Sequence, residues 1–84
     1  LDGDQFSEAA DSVQKGLKKG GVKRPDQARL VLGMAFFNLG EYDKARRAFR
    51  DAGKDKRSAK YSQQWITYVT SEEDRQRELE KDLF

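Results

Sequence analysis

The sequence contains no cysteine and no histidine among its 84 residues. Without thiols there is no disulfide, no thiolate nucleophile and no thiolate metal ligand, so stability must come from packing alone. Without imidazole the commonest general base, the commonest transition-metal ligand and the usual switch near neutral pH are missing as well. Apolar runs are short. None approaches the roughly 20 residues needed to span a bilayer, and no signal-peptide pattern is present, so direct membrane insertion is not expected. No Gly-rich phosphate loop or dinucleotide fingerprint occurs. Ser7, Ser12, Ser58, Ser62 and Ser71 have no imidazole to activate them. The sequence therefore implies no catalytic residue, no cofactor and no metal site. The one arrangement of acids near a hard-cation pattern, Asp2, Asp4 and Glu8, lacks calcium-loop spacing and reads as a helix start. Because the chain opens at Leu1, without Met and inside a helical pattern, it reads as the C-terminal piece of a longer protein.

What is present is charge, at 38% of residues, with 36% hydrophobic and 11% aromatic residues. That is enough to fold, but only around one small core. The formal charge is +2, yet it is unevenly placed. Basic residues crowd the stretch from Lys44 to Lys60, and acids crowd the tail from Glu72 to Asp82. Blocks of this kind read first as solvated helix faces, and second as contacts for a partner of opposite charge.

Glycine and proline divide the chain at Gly3, Gly20-Gly21, Pro25, Gly40 and Gly53, and the stretches between them have helical periodicity. An all-α fold of about four helices follows. The first helix is expected over residues 4–18, with Phe6, Ala9, Ala10, Val13 and Leu17 on one side. The second runs from Pro25 to about Gly40 and is apolar on nearly every side between Ala28 and Leu39, as a helix covered by neighbours on more than one face must be. The third spans Tyr42 to Gly53, with Ala45, Ala48, Phe49 and Ala52 inward and a basic outer face. The fourth is expected over 58–81, with Tyr61, Trp65, Ile66, Tyr68 and Val69 on one side and Lys60, Gln63, Gln64 and Thr67 on the other. Past Val69 the apolar stripe stops, and the helix should project into solvent as a charged tail. A break at Thr70-Ser71, with Ser71 capping a separate helix, is the alternative.

The chain also repeats. Phe6, Ala9, Val13 and Gly16 lie 36 positions before Tyr42, Ala45, Phe49 and Ala52, giving the same order of aromatic, small, apolar and small. Leu32-Gly33 followed by Phe36, then Gly40-x-Tyr42-x-x-Ala45-x-x-x-Phe49-x-x-Ala52, resembles the tetratricopeptide repeat. Arg29 and Arg57 stand where that family has a large opening residue and a closing proline. The resemblance implies an antiparallel helix-hairpin repeat, a fragment of an α-solenoid. Residues 4–18 would be the second helix of a partial repeat, 26–57 a complete repeat, and 58–81 a capping helix with a charged tail. Small residues at Gly33, Ala45 and Ala52 would let helices approach closely, with Leu32, Phe36, Tyr42 and Phe49 filling the space beside them. Tyr61, Trp65 and Val69 would seal the end of the stack.

The family's concave face is lined by the first helix of each pair, which here offers Gln27, Leu30, Met34, Phe37 and Asn38. Leu30 and Met34 stand where a lysine and an asparagine hold a carboxylate in the peptide-clamping members. The strip is therefore apolar, suited to an amphipathic helix or an apolar segment, unless Leu30, Met34 and Phe37 pack on the fourth helix instead. A further likeness rests on Gly20-Gly21-Val22-Lys23-Arg24-Pro25, on Leu30 to Asn38 and on Gln64-Trp65-Ile66-Thr67-Tyr68-Val69. These runs resemble the C-terminal end of tetratricopeptide proteins encoded beside TonB systems in Gram-negative bacteria. That resemblance implies a periplasmic or cell-envelope scaffold that binds protein or peptide partners, TonB-system components among them. Nucleic acid is not the expected partner; a weak electrostatic contact through the basic third helix and the stretch from Lys15 to Arg24 is the rival reading. A structural end-cap that touches no partner is a third. The first helix, whose own partner helix is expected before Leu1, must have its apolar side covered by the second helix or by another chain, so self-association is one expectation.

Overall fold

A computed structural model of the chain describes residues 3–83. It is all-α, with four helices: α1 (Gly3–Lys19), α2 (Pro25–Asn38), α3 (Tyr42–Ala52) and α4 (Ala59–Leu83). Among the described residues there is no strand, and no helix is long and apolar enough to cross a membrane. Asp2, named above with Asp4 and Glu8, lies outside the described residues, as do Leu1 and Phe84.

Backbone chemistry explains where each helix stops. α1 ends at Gly20 and Gly21, both left-handed at φ 76° and 81°, a conformation that only glycine adopts without strain. Pro25 opens α2 at a position where its missing N–H leaves nothing unpaired. α2 stops at Asn38, two residues before the expected Gly40. There Gly40, at φ 75°, donates its N–H to the Phe37 carbonyl while the Glu41 N–H reaches the Phe36 carbonyl. That paired closure satisfies carbonyls the helix would otherwise leave open.

Contacts between helices run in opposite directions along each neighbouring pair. On the α2–α3 pair, Gly33 faces Phe49 while the Lys44 ammonium sits 5.7 Å above the Phe36 ring. On the α3–α4 pair, Ser62 meets Phe49 and Gly53, while Thr70 and Glu73 meet Arg46. The helices therefore stack antiparallel in the order α1, α2, α3, α4, and α2 lies between two neighbours as its all-round apolarity requires.

The core is made of Ala10, Leu32, Ala35, Phe36, Ala45, Ala48, Phe49 and Val69. Phe49, Ala45 and Ala52 have no exposed surface. A Cβ placed on Gly33 would lie 2.6 to 2.7 Å from three atoms of the Phe49 ring, closer than carbon atoms pack, so the small residue at 33 is required by the crossing. Leu32 and Phe36 are buried beside it and Tyr42 is half-buried. Gly53 has an ordinary helical φ of −70°. Its smallness serves α4, because a Cβ there would meet the Ser62 hydroxyl at 2.7 Å and the Ser62 Cβ at 2.9 Å.

The fourth helix runs unbroken through Thr70-Ser71 as expected, without the alternative break, but two other expectations for α4 need correction. Its inward stripe is centred on Ser62 and Val69, with Ser58 buried just ahead of the helix and Trp65 and Ile66 half-buried. Tyr61 and Tyr68 lie off that centre by about 100° of helix rotation and are 59% and 52% exposed, so Tyr61 does not seal the stack. Finally, the tail does not leave the bundle at Val69. Glu73 lies in phase with the stripe and forms a 3.0 Å ion pair with Arg46, whose side chain is only 15% exposed. Arg46 also binds Asp43 at 2.5 Å, so this member of the basic third helix points at α4 and not at solvent. From Arg77 onward the helix is exposed.

Candidate functional site

The five α2 residues expected on a concave face separate into two groups. Gln27 is exposed, and Leu30 and Met34 are half-buried against the core. Phe37 and Asn38 instead border a groove of ≈ 530 Å³ completed by Gln64, Trp65 and Tyr68 of α4. Phe37 thus does pack on the fourth helix. Its ring centroid lies 5.3 Å from Tyr68, 6.0 Å from Tyr42 and 6.4 Å from Trp65. Trp65 is in turn stacked on the buried Phe49 ring at 5.3 Å with 10° between planes, and Tyr68 meets Trp65 edge-on.

The groove is accordingly an aromatic floor anchored from below. Phe49 is immobilised by the α2–α3 crossing, Trp65 lies flat on it, and Phe37 and Tyr68 stand around Trp65. Aromatic pairs at these separations add about 0.5–1.5 kcal/mol each beyond the area they bury. Two amides provide its polar groups. The Asn38 amide donates its N–H to the Met34 carbonyl at 2.8 Å, which orients it and leaves its oxygen as an acceptor. Gln64 is exposed. Among the described residues no carboxylate, lysine or arginine lines the groove, and its hydroxyl is that of Tyr68.

Gln64 and Tyr68 were missed as site residues by sequence reasoning. Gln64 was placed on the outward polar side, and Tyr68 among the packing residues. The usable signal was the run Gln64-Trp65-x-x-Tyr68, in which amide, indole and phenol fall within about one helical turn.

A second polar feature had no counterpart in the sequence reading. Asp26 is 2% exposed at the start of α2. Arg24 grips it with two hydrogen bonds, Nε to Oδ1 at 2.9 Å and Nη2 to Oδ2 at 2.6 Å, and the Ser58 hydroxyl donates to Oδ2 at 2.6 Å. These partners, Arg24 first and Ser58 next, hold the Asp26 carboxyl well below the usual carboxylate range. Arg57 approaches Oδ1 at 3.9 Å and is itself bound to Asp55, whose carboxyl it lowers. Ser58 stands just before α4, so the cluster bolts the first turn of α2 to the turn that launches α4. In the tail, Arg75 holds Glu72 low in the same way.

On the opposite surface, α1 and α3 flank a depression of ≈ 510 Å³ with Ala10, Leu32, Phe36 and Ala48 at its base. Its rim mixes Asp11, Glu41 and Asp51 with Lys44 and Arg47. Val13 and Leu17 of α1 pack on the core, and Phe6 is half-buried.

No family model, curated protein or solved structure matches the chain.

Proposed function

We propose that the chain is a non-catalytic protein-binding scaffold of the tetratricopeptide type, and that the α2–α4 groove is where it holds its partner. The observation that carries this reading is the aromatic floor of Phe37, Trp65 and Tyr68, bordered by the amides of Asn38 and Gln64, with no carboxylate, lysine or arginine among its described lining residues. Such a surface suits an apolar segment of a protein, which the rings bury while the amides meet its backbone. Two things support the absence of chemistry. The sequence has neither His nor Cys, and the acids whose acidity is altered, Asp26, Asp55 and Glu72, are all lowered by arginine partners, opposite to the shift a general acid needs.

The cell-envelope setting, periplasmic and linked to TonB-dependent transport, is proposed from the runs at Gly20 to Pro25, Leu30 to Asn38 and Gln64 to Val69. Partners there would be protein segments, TonB-system components included. Fractionation of cells carrying the full-length protein tests this, since retention in the cytosol contradicts it.

For the groove, peptides selected from a displayed library against the chain are expected to shift the Trp65 indole and the Asn38 and Gln64 amide resonances. Tyr68→Ala should abolish their binding without unfolding the domain, because Tyr68 is half-exposed. Selected peptides that bind Tyr68→Ala as well as the parent contradict the assignment. The outward side of α4, with Lys60, Gln63 and Thr67 exposed, favours a second reading as the polar end-cap of a longer array. In that case partner binding by the full-length protein survives Tyr68→Ala.

A further inference from the structure

The antiparallel stack gathers charges that are distant in sequence. The end of α1, the start of α2, the end of α3 and the start of α4 all lie at one end of the molecule. The segments involved, residues 15–29 and 50–60, hold eleven Lys and Arg against three acids. All three acids are already occupied: Asp26 by Arg24, Asp51 by Lys54 and Asp55 by Arg57. Lys15, Lys18, Lys19, Lys23, Lys56 and Lys60 make no ion pair among the described residues. The remainder of the chain carries twelve acids against six cations. A formal charge of +2 therefore conceals a strongly bipolar molecule.

We infer that this basic end is a second docking surface, separate from the aromatic groove, and that it takes an acidic segment of a protein partner. Charge complementarity carries the inference. Lysines on separate elements, each on a flexible stem, supply spread point charges, and Arg29 and Arg50, which also make no ion pair among the described residues, add guanidinium forks that suit side-chain carboxylates. With neighbouring helix axes about 8–10 Å apart, the end of the four-helix row is roughly 25–30 Å broad, which an extended segment of about eight residues spans. Tyr61, 59% exposed in the first turn of α4 beside Lys60, gives that segment one aromatic contact of the kind that anchors protein interfaces. A long nucleic acid is less well matched, because it would continue onto the acid-rich remainder. A lipid surface is less well matched too. Membrane-surface helices pair their cations with a stripe of exposed aliphatic residues, whereas only Val31 of the exposed large aliphatics lies near this end, Leu79 and Leu83 belonging to the far end of α4.

The test uses the whole chain and three labelled probes: a peptide of about ten residues rich in glutamate, an oligothymidylate of about the same contour length, and vesicles containing anionic phosphatidylglycerol. The peptide is expected to bind most tightly at about 50 mM salt and at least tenfold more weakly at about 300 mM. Lys18→Glu with Lys60→Glu should weaken it tenfold or more, and Tyr61→Ala about threefold, while Tyr68→Ala leaves it unchanged. Circular dichroism of each variant verifies folding, and Lys18→Gln with Lys60→Gln offers a milder change of the same sign. Absence of peptide binding at low salt, indifference to the charge reversals, or tighter binding of the oligonucleotide or vesicles would overturn the inference. Loss of peptide binding on Tyr68→Ala would overturn the claim that the two surfaces are separate.

Discussion

The two seams that flank α3 are built differently. Against α2 the contact is apolar and shape-driven, with Gly33 under the Phe49 ring and Ala45, Ala48 and Ala52 lining the crossing. Against α4 the apolar contact of Trp65 and Val69 is joined by a set of directional polar bonds. The Ser62 hydroxyl donates to the Phe49 carbonyl at 2.5 Å, Gly53 makes room for Ser62, and Arg46 bridges to Glu73 and Thr70. The difference teaches where stability and placement come from. Close-packed apolar volume supplies most of the folding free energy, whereas directional polar contacts contribute little net energy and decide how a long, mostly hydrophilic helix is docked.

Removing Phe49 should break the comparison altogether, because its ring belongs to both seams. Phe49→Ala is expected to cost about 3–5 kcal/mol, comparable to the whole stability of a domain this small, so thermal melting should lose its cooperativity. Gly33→Leu attacks the α2 seam alone. Overpacking there should cost about 1–3 kcal/mol, seen as a fall in the urea midpoint at unchanged slope, and an unchanged midpoint would contradict the crossing. Ser62→Ala probes the polar bonds of the α4 seam, with a smaller loss of about 0.5–1.5 kcal/mol, because the Phe49 carbonyl keeps its bond from the Gly53 N–H. Arg46→Met should cost at most about 1 kcal/mol, yet amide exchange should quicken over residues 70–76 while Gly33→Leu leaves that segment no faster than the rest.

The Asp26 cluster sharpens the same contrast through pH. Its carboxyl is depressed in the folded state, so the stability it contributes is fully present above the unfolded value of about 3.9 and is lost as pH falls through the lower folded value. The urea midpoint of the parent chain should decline below about pH 4. Asp26→Asn should narrow that acid decline, although Asp55 and Glu72, also depressed by arginines, retain part of it. An acid limb identical in the parent and Asp26→Asn would show that the cluster contributes nothing.

Legibility in the sequence followed the same division. The α2–α3 hairpin could be read because glycine, alanine and aromatic residues at three- and four-residue spacings report burial directly. The α4 register could not, because Ser58 and Ser62 occupy core positions while Tyr61 and Tyr68 do not, and hydrophobic periodicity discounts buried hydroxyls. Phe37 and Asn38 were legible as one side of the groove. Gln64 and Tyr68 take their places beside the groove from α4's rotation, which the Ser62–Phe49 bond and the Trp65–Phe49 stack set.

Residue type and spacing alone determined that the chain is helical, where its helices begin and end to within about two residues, and that it carries neither thiol nor imidazole chemistry, since these depend on local backbone preference and composition. Only the tertiary structure decided which hydroxyls are buried, that Asp26 and Ser58 meet across 32 positions, and that scattered lysines share one end of the molecule. Those outcomes depend on the antiparallel stacking of helices, a long-range arrangement whose contacts no short window of sequence contains.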